Sequence, residues 1–286
     1  MPPFHGFSRI AFISIAVLLA AAATPSHAAL VTFSASGNNA SDIQTTVDNF
    51  RTSLGTLNAN VAGSFGAGRR EINWDGVPDG SSAPNNLAAN FFNVNSPRGV
   101  VFSTPGSGFQ VSATAASGTP IEFGNLNAAY TGLFTTFSAQ RLFTALGSNI
   151  VDINFFVPGS TTPAFTSGFG AVFSDVDLAN TTSIQFFDLA NVSLGTISAP
   201  SGIGNETLSF LGGVFNAGEQ IGRVRITSGN AALGPTESPN VDLVVMDDFI
   251  YGEPRTLAAV PEPAAAIPLL LGLLLIAGFR RGGGRQ

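Results

Sequence analysis

The side chains best suited to chemistry in this sequence are carboxylates and amides, and they occur in three segments. In the first segment, Asn73, Asp75 and Asp79 lie in a turn that also contains Gly76 and Gly80. Oxygen ligands at alternate positions beside a turn glycine are typical of calcium loops. The spacing does not continue to the glutamate that completes an EF-hand, and Asn, Asp and Gly also form turns without a metal. Calcium binding and a plain turn therefore both stay open here.

The second segment is the pair Asp175 and Asp177, which are two residues apart. Side chains at this spacing in a strand point to the same face, so the sequence predicts two carboxylates side by side. Two like charges at such a distance are unfavourable unless a cation or an arginine lies between them. The pair therefore indicates either a calcium site or a structural salt bridge.

The third segment is the adjacent pair Asp247 and Asp248, within a run that is apolar on both faces. We expect one of the two carboxylates to point into the protein, where it needs a partner. Arg223, Arg225 or a bound calcium ion could serve as that partner. A salt-bridged structural aspartate is the simpler interpretation of this segment.

The residue types that are missing exclude most enzyme classes. The sequence contains no cysteine, all 12 of its basic residues are arginine, and His5 and His27 both lie in the N-terminal leader described below. Without that leader the chain has no imidazole, thiol or side-chain amine. This excludes Ser-His-Asp and Cys-His catalysis, Cys/His zinc sites and lysine Schiff bases. Carboxylates remain, but no pair of them stands out as a glycosidase acid and base, and we expect no catalysis.

The charge balance argues against nucleic acid as a partner. Residues 29–259 contain eight arginines and 17 acidic residues, a net charge of −9. Contacts with phosphate groups need clustered positive charge, and no basic patch occurs in this range. We therefore expect no nucleic acid partner.

One amphipathic helix is predicted, from Asp42 to Leu54. Ser41 and Gln44 have the spacing of a capping box at its start, and Gly55 follows its end, where a left-handed cap belongs. Four apolar residues recur at helical intervals and predict docking of the helix on the core: Ile43, Val47, Phe50 and Leu54.

Almost every other patterned segment predicts a β-strand. Apolar and polar residues alternate in 109–114, 151–157 and 223–226. Two short apolar runs, at 184–187 and 208–211, are also predicted to be strands. Clusters of Gly, Pro, Asn and Ser separate these runs, which is typical of an antiparallel β-sandwich. The last run, 241–251, is apolar on both faces and predicts a central strand.

The N-terminal segment has the layout of a secretory signal peptide. Arg9 precedes an apolar run of 14 residues at 10–23, and the small residues Ser26 and Ala28 follow. This run is shorter than the roughly 20 residues that span a bilayer. The pattern predicts cleavage after Ala28 by signal peptidase. A permanent membrane anchor is the alternative.

The C-terminal segment combines three features in a fixed order. A Val-Pro-Glu-Pro motif at 260–263 precedes an apolar run of 16 residues at 264–279, and a basic cluster follows. As a helix this run would be about 24 Å long, a marginal membrane span, and the arginines would hold its end in the cytoplasm. The residues that define the motif and the cluster are Pro261, Glu262, Pro263, Arg280 and Arg281.

This order of features resembles the PEP-CTERM sorting signal of exported bacterial proteins. The resemblance covers residues 260–286, and Pro268 inside the apolar run is a departure from a regular helix. It implies processing by an exosortase-type membrane protease in a Gram-negative bacterium that secretes exopolysaccharide. It also implies a transient stay in the inner membrane, followed by the cell surface or the extracellular matrix. A permanent tail anchor is the alternative.

Two stretches of the central region, 68–77 and 168–177, also resemble segments of exported PEP-CTERM proteins. Those proteins have jelly-roll-like cores and no assigned biochemical activity. The resemblance therefore implies a jelly-roll-like sandwich and transfers no functional residue.

The expected organisation is a signal peptide at 1–28, a β-sandwich core at 29–255, a neck at 256–259 and the sorting tail at 260–286. We expect an exported, exosortase-processed protein with a structural or adhesive role, in contact with exopolysaccharide. No cofactor is expected, with calcium as the open alternative. The competing hypotheses are a calcium-dependent carbohydrate-binding module and, third, a carboxylate-type glycoside hydrolase.

Overall fold

The computed structural model describes residues 30–256, so the predicted signal peptide, the sorting tail and most of the neck lie outside the described residues. The helices are α1 (Ala40–Leu54) and α2 (Phe91–Val94), with 3₁₀ turns at Asp79–Ser81, Ala115–Ser117 and Ala128–Gly132. None of the helices among residues 30–256 has the length and apolar character needed to cross a membrane.

The strands of the described residues are β1 (Leu30–Gly37), β2 (Arg69–Ile72), β3 (Val100–Ser103), β4 (Gly108–Val111), β5 (Phe143–Leu146), β6 (Ile150–Phe155), β7 (Gly168–Ser174), β8 (Ser183–Phe187), β9 (Ser193–Ser198), β10 (Leu208–Phe215), β11 (Arg223–Thr227) and β12 (Val245–Gly252). They form two antiparallel sheets. Sheet A has seven strands in the order β1-β10-β7-β12-β5-β4, with β2 also paired to β12. Sheet B has five strands in the order β3-β6-β11-β8-β9. The predicted antiparallel β-sandwich is confirmed.

The core between the two sheets is rich in aromatic rings. Trp74, fully buried, stacks on Phe143 with ring centroids 4.1 Å apart and packs edge-on against Phe249 at 5.0 Å. Alternate residues of sheet B, such as Val224 and Ile226 of β11, point into the same cluster. The apolar residues of the alternating sequence pattern are therefore the ones that are buried against the facing sheet.

Helix α1 covers the outer face of sheet A. Its predicted apolar stripe is buried and packs against β7, β10 and β12. The helix begins at Ala40, two residues earlier than expected, because its cap uses different residues. The Asp42 carboxylate accepts the backbone N–H groups of Asn38 and Asn39, each at 3.0 Å. The predicted capping pair, Ser41 and Gln44, is therefore wrong.

Strand β12 has neighbours on both sides and cover on both faces. It pairs with β7 along one edge and with β5 and β2 along the other. All eight of its residues are buried, since the core lies on one face and α1 on the other. The prediction of a central strand is confirmed, and the apolar character of both faces follows from this double cover.

We expect Gly212→Ala to lower the free energy of unfolding by about 1–3 kcal/mol, because overpacking strains a filled core. Gly170 and Gly212 lie opposite each other on β7 and β10 and make room for the ring of Phe50. A methyl group on Gly212 would lie 2.8 Å from that ring. Gly132→Ala is the control, since a methyl group there has no heavy atom within 4 Å. Equal urea midpoints for the two variants would contradict this packing.

Candidate metal centre

Three carboxylates from two distant parts of the chain converge at one end of the sandwich. Asp175 and Asp177 follow β7, and Glu237 lies in the connection between β11 and β12. One carboxylate oxygen from each lies within 4.8 Å of the other two. The structure therefore keeps the two aspartates together, as the sequence predicts, and adds a glutamate that the sequence analysis missed.

The two aspartates come together through a loop rather than through a strand. Strand β7 ends at Ser174, and Asp175 has a φ of 72°, in the left-handed region that Asp tolerates better than most residues. The N–H of Asp175 donates to the carbonyl of Thr207 at 2.8 Å, and the N–H of Asp177 donates to Oδ1 of Asp242 at 3.0 Å. The expected strand geometry is wrong, but backbone hydrogen bonds fix the pair in place.

Glu237 is positioned by a buried tyrosine. The hydroxyl of Tyr130 donates to the carbonyl of Pro235 at 2.8 Å and accepts the N–H of Gly234 at 2.7 Å. The next turn closes through the N–H of Val241, which donates to the carbonyl of Ser238 at 2.9 Å. These bonds hold the β11–β12 connection, and Glu237 with it, against the 3₁₀ turn at Ala128–Gly132.

Asp175 is buried and forms no ion pair with an arginine of the described residues. It has no exposed surface, and neither of its carboxylate oxygens accepts a hydrogen bond from the described residues. Oδ1 of the half-buried Asp177 is buried and unbonded in the same way. Burial, followed by the charges of Glu237, Asp177 and Asp242, raises the pKa of Asp175 to about 9, although the backbone N–H of Glu206 acts in the opposite direction. Burial also raises the pKa of Asp177 and of Glu237.

In the Asn73, Asp75 and Asp79 turn, both aspartates already accept a side-chain hydrogen bond. Oδ1 of Asp79 accepts a hydrogen bond from the guanidinium of Arg141 at 2.6 Å. The amide of Asn73 donates to Oδ2 of Asp75 at 3.3 Å. Burial and the charge of Asp248 raise the pKa of Asp75. The calcium hypothesis for this turn stays a prediction, with an arginine already bound to one of its members.

Asp247 and Asp248 occupy a β-bulge, and both are buried. Pairing between β12 and β7 shifts in register between Met246 and Phe249, so the two aspartates occupy the bulge together. Asp247 accepts the backbone N–H groups of Phe137 and Ser138, at 2.7 and 3.2 Å. The hydroxyl of Ser138 donates to Asp248 at 2.6 Å. Backbone donors and a hydroxyl therefore provide the partners that the sequence analysis expected from an arginine or calcium.

The arginine that approaches this pair is not one of those expected. Arg51 of helix α1 lies 3.4 Å from Oδ2 of Asp248. Arg223 and Arg225 instead form ion pairs with Asp152 on the neighbouring strand β6, at 2.7 and 2.8 Å. Pairing of the Asp247–Asp248 segment with Arg223 or Arg225 is therefore wrong, because those side chains lie on the outer face of sheet B.

We expect Asp247→Asn to flatten the pH dependence of stability. Burial and the charge of Asp248 raise the pKa of Asp247, so the folded state favours its protonated form. This stabilisation is present at low pH and is lost as pH rises through the raised pKa. At pH 8 the variant should melt above the wild type, and at pH 4 this difference should disappear. A variant that melts below the wild type equally at both pH values would contradict this prediction.

The cluster of Asp175, Asp177 and Glu237 offers a metal three carboxylate ligands. Among residues 30–256, Asp175, Asp177 and Glu237 are the set of His, Cys, Asp or Glu side chains close enough to hold one ion. Carboxylate oxygens suit calcium, magnesium or manganese rather than zinc or copper.

No protein-family model, no curated protein and no solved structure matches this chain.

Proposed function

We propose that this chain is an exported protein, processed at both ends, with a structural or adhesive role at the cell surface or in an exopolysaccharide matrix. The observation that carries this proposal is the order of the C-terminal features. A Pro-Glu-Pro motif, a marginal apolar span and an arginine cluster follow one another at 261–281, in a chain that also begins with a signal-peptide pattern. The transient membrane location and the exosortase partner are part of the proposal.

We further infer that strands β5 to β12 form a jelly roll. Four of them lie in sheet A in the order β10-β7-β12-β5, and four lie in sheet B in the order β6-β11-β8-β9. Eight strands shared between two sheets through two Greek keys are the arrangement of a jelly roll. Jelly rolls occur in lectin and capsid domains, among others, so the fold suits a binding or structural role without specifying one.

A role without catalysis is supported by the chemistry that the core offers. Residues 30–256 contain no histidine or cysteine. Several carboxylates are held in ion pairs with arginine, among them Asp79, Asp152 and Glu253. A general acid or base must be available to exchange protons with a substrate, and carboxylates held by arginine are poorly suited to that task.

A second candidate is carbohydrate binding, favoured by the outer face of sheet B. Arg225 lies between Asp152 and Gln185 on the neighbouring strands, and Arg223 lies between Asn154 and Phe187. The guanidinium of Arg223 stacks 3.7 Å from the centroid of the Phe187 ring. Neighbouring donors and acceptors around a planar stack suit a hydroxyl-rich or acidic sugar chain.

Fractionation of the producing cells tests the main proposal. The core should be found outside the inner membrane, and a variant that lacks 264–286 should be released in soluble form. A core that stays in the inner membrane of wild-type cells would contradict the proposal. Co-sedimentation of the released core with the producer's polysaccharide, weakened by Arg225→Ala and not by Arg255→Ala, would instead support the second candidate.

A further inference from the structure

The cluster of Asp175, Asp177 and Glu237 lacks the positive charge that other acidic groups of the core have. None of the ion pairs between described residues includes any of the three. By contrast, Glu253 is buried, as Asp175 is, but pairs with Arg70 at 2.8 Å. A cluster of acids with no counter-charge is unfavourable in a folded core.

A second, independent observation locates the missing partner. Asp175 is fully buried, and both of its carboxylate oxygens lack a hydrogen bond from the described residues. Buried polar groups of native proteins nearly always have a partner, so two unpaired oxygens on one side chain indicate a ligand. The unbonded Oδ1 of Asp177 belongs to the same cluster.

We propose that Asp175, Asp177 and Glu237 bind one calcium ion, which joins the β7–β8 connection to the β11–β12 connection. This inference goes beyond the proposed function and holds whether or not the tail is processed. Three carboxylates and no nitrogen or sulfur ligand suit a hard cation. Calcium is preferred over magnesium because loop carboxylates tolerate its irregular geometry, whereas magnesium demands a near-ideal octahedron.

Asp242 acts as a positioning residue beside this site. Its Oδ1 accepts the N–H of Asp177 at 3.0 Å, and its Oδ2 accepts the hydroxyl of Thr181. Its own N–H donates to Oδ1 of Asn230 at 2.9 Å. Asp242 therefore links the two connections through hydrogen bonds, and the three ligands of the proposed ion are the other acids.

The test is the melting temperature of the full chain, purified in detergent, with calcium or with the chelator EGTA. An extracellular calcium module binds with a Kd of about 0.1–1 mM. At about 10 mM calcium the melting temperature should then rise by roughly 3–10 °C. Magnesium at the same concentration should give a clearly smaller rise. Calorimetric titration of calcium into the stripped protein should give one binding event.

Two variants locate the site. Asp175→Asn should abolish the calcium-dependent rise, and in EGTA it should melt at or above the wild type, because a neutral amide is less costly to bury than an ionisable carboxyl group. Glu237→Gln should weaken calcium binding at least tenfold. Asp75→Asn is the matched control, since Asp75 also has a buried, unbonded oxygen but lies in the other predicted calcium segment. It should keep the full rise.

Several results would overturn the proposal. One is a melting temperature that calcium does not change, the outcome expected if Asp175 is simply protonated. Another is an equal rise with magnesium, which would remove the preference for calcium. Retention of the rise in Asp175→Asn, or its loss in Asp75→Asn, would place the ion elsewhere.

Discussion

Replacing Arg70 with methionine is expected to lower the free energy of unfolding by about 3–5 kcal/mol, because it leaves a buried charge without its partner. Arg70 has no exposed surface, and the side chain of its partner Glu253 is almost fully buried. The two side chains form a bidentate pair, with Nε to Oε2 at 2.8 Å and NH2 to Oε1 at 3.0 Å. Methionine keeps much of the side-chain volume, so the loss measures charge and hydrogen bonding.

Arg70 also holds two loops against the sandwich. Its guanidinium donates to the carbonyls of Val61, Gly63 and Pro97 at 2.7–3.1 Å. All of these acceptors lose a charged donor in the variant. Hydrogen bonds to charged groups contribute more to stability than hydrogen bonds between neutral groups. The expected loss in the free energy of unfolding is therefore large for a single substitution.

Two further variants separate the charge effect from packing. Arg255→Met changes an exposed arginine with one hydrogen bond to Gly66 and should cost less than about 1 kcal/mol. Adding Glu253→Gln to Arg70→Met should recover about 1–3 kcal/mol, since it removes the unpaired carboxylate. The measurement is urea denaturation of each purified protein. A double variant less stable than Arg70→Met would contradict the role assigned to the charge.

Glu262→Ala is expected to leave export intact and to block removal of the tail, so that the protein accumulates in the inner membrane. Pro261 and Pro263 restrict the backbone before the apolar run toward extended conformations, which suits a protease that binds an extended strand. We propose that Glu262, the acidic residue of this motif, gives the protease a polar contact. Pro261→Ala should act in the same direction.

The controls distinguish recognition from a general effect on export. Glu219→Ala, which changes an acidic residue in the connection between β10 and β11, should be processed like the wild type. Truncation after Pro263 should release a soluble core with unchanged stability, because it removes none of the described residues 30–256. The readout is the size and the membrane fraction of each variant in the producing cells. Normal tail removal in Glu262→Ala would rule out a role of this residue in recognition.

Regular burial made much of the fold predictable from sequence. The alternation in β6 and β11 reflects one face on the core, and the apolar stripe of α1 reflects docking on sheet A. Each pattern depends only on residues next to one another in the chain. The start of α1 was less predictable, because Asn39 and Ser41 are both good capping residues and only the path of the chain decides between them.

The candidate site was half predictable for the same reason. Asp175 and Asp177 are neighbours in sequence, so their proximity could be expected, although the chain turns after Ser174. Glu237 is distant in sequence, and only the meeting of two connections brings it to the pair. The sequence does show an acidic residue in the long Gly- and Pro-containing segment before β12, and it could have been considered as a third ligand. The burial of one acid at Asp247 and Asp248 was expected, but nothing in the sequence predicted that the pair would occupy a β-bulge.

The central claim, that the chain is exported and processed at both ends, is tested most directly by mass spectrometry of the intact protein recovered from the producing cells. We predict a mature protein that begins at Ala29 and lacks residues 264–286. A protein that retains residues 264–286 would contradict the claim and indicate a permanent tail anchor.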